Sequence, residues 1–155
     1  MKNLVSGADD TNNSLPNYEA NVVKLAPLGS DSPDSLVEAK GVCSVVIVSY
    51  KTGEVLMDCI RSVLRQSKLH QLILVDNGNT RQTVQQLNEI ADKNSKFEII
   101  TGHGNVGFSK GCNLGVRRAR GEYILLLNPD SILQVDTLIP ALEVFQTHPD
   151  TSLLT

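Results

Sequence analysis

The chain has 155 residues, 41% of them hydrophobic, and a formal charge of -3, enough for one domain with a packed core. The charge is uneven: residues 1–40 carry six acids against three lysines, whereas residues 41–155 balance at eleven of each. A balanced domain offers no electrostatic reason to bind nucleic acid, so partners of that class are excluded.

Residues 1–40 read as a flexible polar tail. Asn, Ser, Asp and three prolines (Pro16, Pro27, Pro33) dominate it, and the apolar stretch at residues 22–25 is too short to build a core. Composition changes abruptly at Gly41. Residues 44–48 are a valine-rich run that predicts a strand covered on both faces. Residues 54–66 place Val55, Leu56, Cys59, Ile60, Val63 and Leu64 at helical spacing. Residues 72–75 predict a second buried strand, and Thr80 caps a helix over 80–94 with Val84, Leu87, Ile90 and Ala91 on one stripe. A short strand at 97–101 leads into a glycine-rich turn. A helix over 108–120 follows, with Gly121 as its C-terminal stop. Residues 123–127 are the fourth strand, and 136–147 a fourth helix stopped by His148-Pro149. This alternation predicts an α/β domain: a mostly parallel, Rossmann-like sheet with flanking helices and right-handed crossovers. Residues 152–155 look like the opening of a further strand, so the sheet reads as incomplete at the C-terminus.

The three cysteines, Cys43, Cys59 and Cys112, show no C-x-x-C spacing, which argues against a disulfide framework and a zinc site. They read as small buried thiols. There is no basic-then-apolar N-terminal pattern and no apolar run near the ~18 residues of a membrane span. A reducing, cytoplasmic setting fits.

Three strands end in polar tips: Ser49-Tyr50, Asp76-Asn77 and Asn128-Pro129-Asp130. In an open parallel sheet, ligands bind beyond such tips where the strand order reverses. Asp76 can accept hydrogen bonds from a ribose hydroxyl or a base N–H, or it can simply form a turn. Asp130 projects from a proline-fixed corner. One carboxylate together with phosphate oxygens is a common way of holding Mg2+ or Mn2+, and Asn-Pro-Asp-Ser is also ordinary turn chemistry. Gly102-His103-Gly104-Asn105-Val106-Gly107 satisfies G-x-G-x-x-G between a strand and a helix, with Asp130 about 20 residues on, as a dinucleotide-binding fingerprint requires. Two complete βα units precede it, however, and Phe108 in place of Lys-Ser/Thr excludes a Walker loop. Lys110 and Asn113 fall on the first turns of the next helix, within reach of an anion at its N-terminus. The cluster Arg117-Arg118-Ala119-Arg120 reads as a solvated helix end, with an anionic membrane surface as the alternative.

Ser44-Val45-Val46-Ile47-Val48-Ser49-Tyr50, Leu74-Val75-Asp76-Asn77-Gly78, Asn105-Val106-Gly107-Phe108 with Gly111-Cys112-Asn113-Leu114-Gly115, and Leu127-Asn128-Pro129-Asp130 occur in an order that resembles the family 2 glycosyltransferases of GT-A fold. The resemblance covers residues 43–155 and points to the rhamnosyltransferase-like branch. It implies a nucleotide-sugar donor, dTDP- or UDP-linked, lying across the strand tips, and a glycan or lipid-linked acceptor. Ser49 and Tyr50 would line the nucleoside pocket and Asp76 would contact base or ribose. Asn105, Lys110 and Asn113 would lie near ribose or diphosphate. Asn128-Pro129-Asp130 would stand for the family's Asp-x-Asp motif, with Asp130 on a Mg2+ or Mn2+ ion. Lys51 replaces the Asn that commonly follows Ser-Tyr. The general base of the inverting transfer is expected beyond residue 155, so the chain reads as the N-terminal donor-binding half, inactive alone, of an enzyme of surface polysaccharide assembly. A non-catalytic nucleotide-binding module and a dinucleotide domain using residues 102–107 are the alternatives. Peripheral association with the inner membrane face is a further expectation.

Overall fold

The computed structural model describes residues 21–24 and 39–154. In chain order the elements are β1 (Asn21–Lys24), β2 (Ala39–Ser49), α1 (Val55–Leu64), β3 (Leu69–Asp76), α2 (Arg81–Ala91), β4 (Phe97–Ile100), α3 (Phe108–Val116), β5 (Gly121–Leu127), α4 (Leu138–Thr147) and β6 (Leu153–Leu154). They form one sheet of order β4-β3-β2-β5-β1-β6. The pairs β2–β3, β2–β5 and β3–β4 are parallel, and β1 runs antiparallel to both β5 and β6.

The valine-rich run of β2 is apolar throughout because both faces of the sheet are covered. Cys43, Val45 and Ile47 point to one side with Leu72, Leu74, Leu125 and Leu127, where Leu56, Ile60 and Val63 of α1, Leu87 of α2 and Leu142 and Phe145 of α4 complete the main core. Tyr123 and Phe145 stack there with ring centroids 5.1 Å apart. Val46 and Val48 point to the other side, with Ile73, Val75 and Ile124, under Cys112 and Ala119. Each fully buried Leu or Ile contributes about 1.5–3 kcal/mol, so this two-sided burial dominates the stability. Small residues let α3 come close: a Cβ on Gly115 would lie 2.3 Å from Val46 Cγ1, and one on Gly111 would lie 2.8 Å from Val48 Cγ1.

The helices match the expected apolar stripes, and Thr80 caps α2 by accepting the Thr83 amide at 3.2 Å. Three details differ from expectation. Asn21–Lys24, assigned to the tail by composition, pair in register with residues 123–126 of β5. The remaining tail positions lie outside the described residues. α3 ends at Val116 with Arg117 as its cap, and Gly121 opens β5 with no positive φ. Its lack of a side chain serves a close approach, since a Cβ there would meet Ser44 N at 2.9 Å and Val42 O at 3.0 Å. The strand expected from residue 152 is the short β6, which joins the sheet antiparallel to β1.

Candidate functional site

The parallel strands are laid down outward from β2, first to β3 and β4 on one side and then to β5 on the other. The order therefore reverses between β2 and β5, the place where an open α/β sheet leaves a crevice at its strand tips. Ser49 pairs with Asp76 and Ile47 with Leu127, so the Ser49-Tyr50, Asp76-Asn77 and Asn128–Asp130 segments emerge side by side from three adjacent strands.

Two kinds of residue occupy these tips. Ser49, Asp76 and Asn77 are buried. Asp76 Oδ1 accepts from the amides of Gly78 at 3.0 Å and Asn79 at 2.8 Å, and from Asn79 Nδ2 at 2.8 Å. Ser49 Oγ lies 2.8 Å from Asn79 Nδ2 and 3.0 Å from Asn79 Oδ1, which also accepts the Thr52 amide at 3.3 Å. The Ser49 side chain is therefore built into the floor beneath the strand tips. Asp76 forms the turn that it was also expected to be capable of forming, with Oδ2 left without a protein partner among the described residues. Asn79, unmarked by the sequence reading, is the hub joining the β2 and β3 tips. Its signal was its place three residues beyond Asp76, where an amide can close an Asx turn.

Asn77 ties this floor to the glycine-rich loop. Its amide donates to Ser49 O at 2.9 Å, and Nδ2 donates to Gly107 O at 3.2 Å. Gly107 begins α3 at φ 81°, a conformation that favours glycine, and its amide is held by Asn105 Oδ1 at 2.9 Å. The strand feeding this loop is the edge strand β4, so residues 102–107 do not sit at the switch point that a dinucleotide fingerprint would use.

The second kind is exposed. Tyr50 is half exposed, its ring lying over Gly78, where a Cβ would be 3.4 Å from Cε2, and Lys51 Nζ stands 5.2 Å from the ring centroid. Asn105, Lys110, Asn113, Asn128 and Asp130 are all exposed. Lys110 and Asn113 share an open groove of about 250 Å³ along α3 with Val106, Leu114 and Arg117. The floor thus brings Tyr50, Asp76 and Asp130 to one sheet end, while Lys110 and Asn113 lie along the helix behind the glycine-rich loop.

Beneath Asp130 lies Cys59 of α1, whose Sγ donates to Asn128 O at 3.5 Å. Burial pushes this thiol up to about 12, the Asp130 charge adding to the rise and the Ser131 N–H partly offsetting it. Among the described residues no group of three or more His, Cys, Asp or Glu is placed to enclose a metal ion. A cation at Asp130 would take its other ligands from phosphate oxygens and water, which suits a hard ion such as Mg2+ or Mn2+. All three cysteines are free thiols, as expected. No helix among the described residues is long and apolar enough to cross a membrane.

Comparison with known proteins points one way. The family model described as Glycosyl transferase family 2 matches residues 44–154. A glycosyltransferase of Haemophilus influenzae with no assigned function is 31% identical over 107 residues, 68% of this chain and 43% of that protein. The chain spans less than half the length of such curated relatives, 43% of this one and 31% of the glycosyltransferase GlyG of Streptococcus pneumoniae. Among solved structures, S. aureus TarS 1–349 in complex with UDP-GlcNAc superposes with a TM-score of 0.62 at 22% identity, covering 70% of this chain and 32% of TarS. The mannosyltransferase PcManGT from Pyrobaculum calidifontis, in complex with GDP-Man and Mn2+, gives 0.55 at 15% identity, covering 61% and 29%. These likenesses show the GT-A fold.

Proposed function

The chain belongs to glycosyl transferase family 2, and from that premise we propose that it binds the nucleotide-diphosphate end of a sugar donor across the tips of β2, β3 and β5, for transfer to a glycan or lipid-linked acceptor with inversion. The observation that carries this reading is the emergence of Tyr50, Asp76 and Asp130 side by side at the reversal of strand order. Tyr50 offers a half-exposed ring on which a base can stack, and Asp76 Oδ2 accepts from base or ribose while Oδ1 holds its turn. Asn105, Lys110 and Asn113 bear on ribose and diphosphate from the α3 side, and Asn128 and Asp130 from the β5 side.

When bound at Asp130, Mg2+ or Mn2+ supplies Lewis-acid neutralisation of the leaving diphosphate. The protein's own part is to hold the donor still and to offer Lys110 as a counter-charge. The Asn128-Pro129-Asp130 form of the motif favours the rhamnosyltransferase-like branch and a dTDP- or UDP-sugar. Three free thiols support a cytoplasmic location, and the exposed Arg117-Arg118 end of α3 supports peripheral contact with an anionic membrane face. Asp76 is engaged in its turn and Asp130 with the metal, so neither is assigned as the base that takes the acceptor's proton. We expect little or no sugar transfer by the 155 residues alone, and robust turnover would refute that assignment.

The test is calorimetric titration of the chain with UDP, dTDP and NAD, with and without Mn2+. UDP or dTDP should bind more tightly with Mn2+, and Asp130→Ala should remove that gain, a loss of about tenfold or more for a charged contact. Binding of NAD indifferent to metal, with none of UDP or dTDP, would overturn the reading.

A further inference from the structure

We infer that Ser62 of α1 and Gln66, just past that helix's cap at Arg65, are positioning residues for Asp130, holding the backbone that follows β5 where its carboxylate can meet a metal-diphosphate. The inference rests on the donor-site reading above and adds to it a device on an element that touches no donor.

Residues 128–137, between β5 and α4, belong to no helix or strand, so their backbone polar groups have no ladder to satisfy them. α1 supplies the partners. Ser62 Oγ accepts the Leu133 amide at 3.0 Å while donating to Cys59 O at 2.7 Å. Gln66 Nε2 donates to Gln134 O at 2.7 Å and to Ser62 O at 3.3 Å, and its Oε1 accepts the Leu138 amide at 3.2 Å. One turn earlier, Cys59 Sγ reaches Asn128 O. Cys59 and Ser62 lie one turn apart on α1, and Gln66 stands just past the helix cap at Arg65.

Both polar side chains are buried: Ser62 is 1% exposed and Gln66 4%. Apolar side chains would be the ordinary occupants there, and the buried polar groups are tolerated because each finds a partner. Besides the bonds to Cys59 O and Ser62 O within α1, their partners are backbone atoms of residues 133–138, and Asp130 sits between the anchor at Asn128 and the anchors at Leu133, Gln134 and Leu138. Leu133 packs into the main core, but Ile132, 58% exposed, and Val135, 82% exposed, add little further apolar anchorage to the segment. α1 itself is fixed in the main core through Leu56, Ile60 and Val63, so it is a rigid mount for the loop. Precision at the Asp130 carboxylate therefore comes from α1, on the far side of the loop from the donor.

The experiment uses the full chain, UDP and Mn2+. Ser62→Ala and Gln66→Met should bind UDP in EDTA within about twofold of wild type, and should lose about three- to tenfold of the affinity gained on adding Mn2+, the scale of a lost hydrogen bond. A purely structural role would lower the melting temperature and leave the Mn2+ gain intact, and that result overturns the inference. Should either variant fail to fold, hydrogen exchange of the wild-type Leu133 and Leu138 amides decides. Mn2+ with UDP should slow both beyond UDP alone, because metal and α1 stabilise the same loop. Unchanged exchange despite Mn2+-dependent binding overturns it equally. If wild type shows no Mn2+-dependent binding at all, the donor-site reading fails and the positioning role falls with it; if only the variants behave as wild type, the positioning role alone fails.

Discussion

Gly115→Ala puts the packing argument at risk. On an exposed helix this change stabilises by about 1 kcal/mol, because alanine is the better helix former. Here the new Cβ would lie 2.3 Å from Val46 Cγ1, 3.3 Å from Cγ2 and 3.4 Å from Cβ, whereas carbon atoms pack best at about 3.5–4.0 Å. Val46 is 1% exposed, is walled by Ile73, Ala119 and Ile124, and is β-branched, so it cannot turn away. α3 must instead lift from the sheet by about 1 Å. Overpacking of this kind costs about 1–3 kcal/mol, with larger values for the tightest contacts, so a net destabilisation of about 2 kcal/mol is expected after the propensity gain. The urea midpoint should fall with an unchanged slope, and the melting temperature should drop by about 4–8 °C. In a double-mutant cycle, Val46→Ala should relieve the clash, so that the pair costs less than the sum of the singles by about 1 kcal/mol or more. A Gly115→Ala variant as stable as wild type would refute the close approach of α3. Because Gly107 O at the head of α3 receives Asn77 Nδ2, the same lift should also weaken UDP binding.

Two further outcomes follow from the backbone and the thiols. Lys51 has φ 51°, a left-handed conformation in which Asn is better tolerated than Lys; Lys51→Asn should raise stability by about 0.5 kcal/mol after the loss of the cation–ring contact, read as a melting-temperature rise of about 1–2 °C. Cys43 and Cys59 are raised by burial from 9.0 to about 12, so the unfolded chain releases these protons at lower pH than the folded one. Stability should be full below pH 9 and fall as pH climbs toward 12, and a thiol reagent at pH 8 should modify these two rapidly only in denaturant. Rapid reaction of either in the native chain would contradict its burial.

Much of this architecture was legible because β2, β3 and β5 are covered on both faces and so show as unbroken apolar runs ending in polar tips. β1 was not legible. Asn21-Val22-Val23-Lys24 has no pattern of its own and becomes a strand through pairing with β5, where tertiary context overrides local composition. Gly121 misled for a different reason: a glycine after a helix suggests a left-handed cap, but here it clears space for the backbone of Val42 and Ser44. The candidate tips were readable as positions, but their roles were not. Ser49 and Tyr50 are neighbours in sequence, yet β2 ends at Ser49, whose hydroxyl is held in the floor, while the ring of Tyr50 in the bend that follows stays outside. Ser62 and Gln66 did carry a signal, two polar residues four apart where the apolar pattern of α1 runs out, and it could have marked the end of α1 as bonded to something other than the sheet.

This division between floor and surface has an energetic consequence. Ser49, Asp76, Asn77 and Asn79 form a connected network in which removing any one member strands partners away from water, so each truncation costs stability on the scale of about 1–3 kcal/mol. Tyr50, Lys110, Asn113, Asn128 and Asp130 are exposed, and their loss should leave folding within about 0.5 kcal/mol while binding changes; Asn105 is exposed too but also holds the Gly107 amide. A site built this way separates the two demands placed on it. The strand tips need fixed geometry, which buried hydrogen bonds supply, and the ligand needs accessible groups, which can vary without unfolding the frame. On the proposed reading, substitutions in the exposed set should change ligand binding while the turn at Asp76 and the loop carrying Asp130 stay where the sheet and α1 hold them.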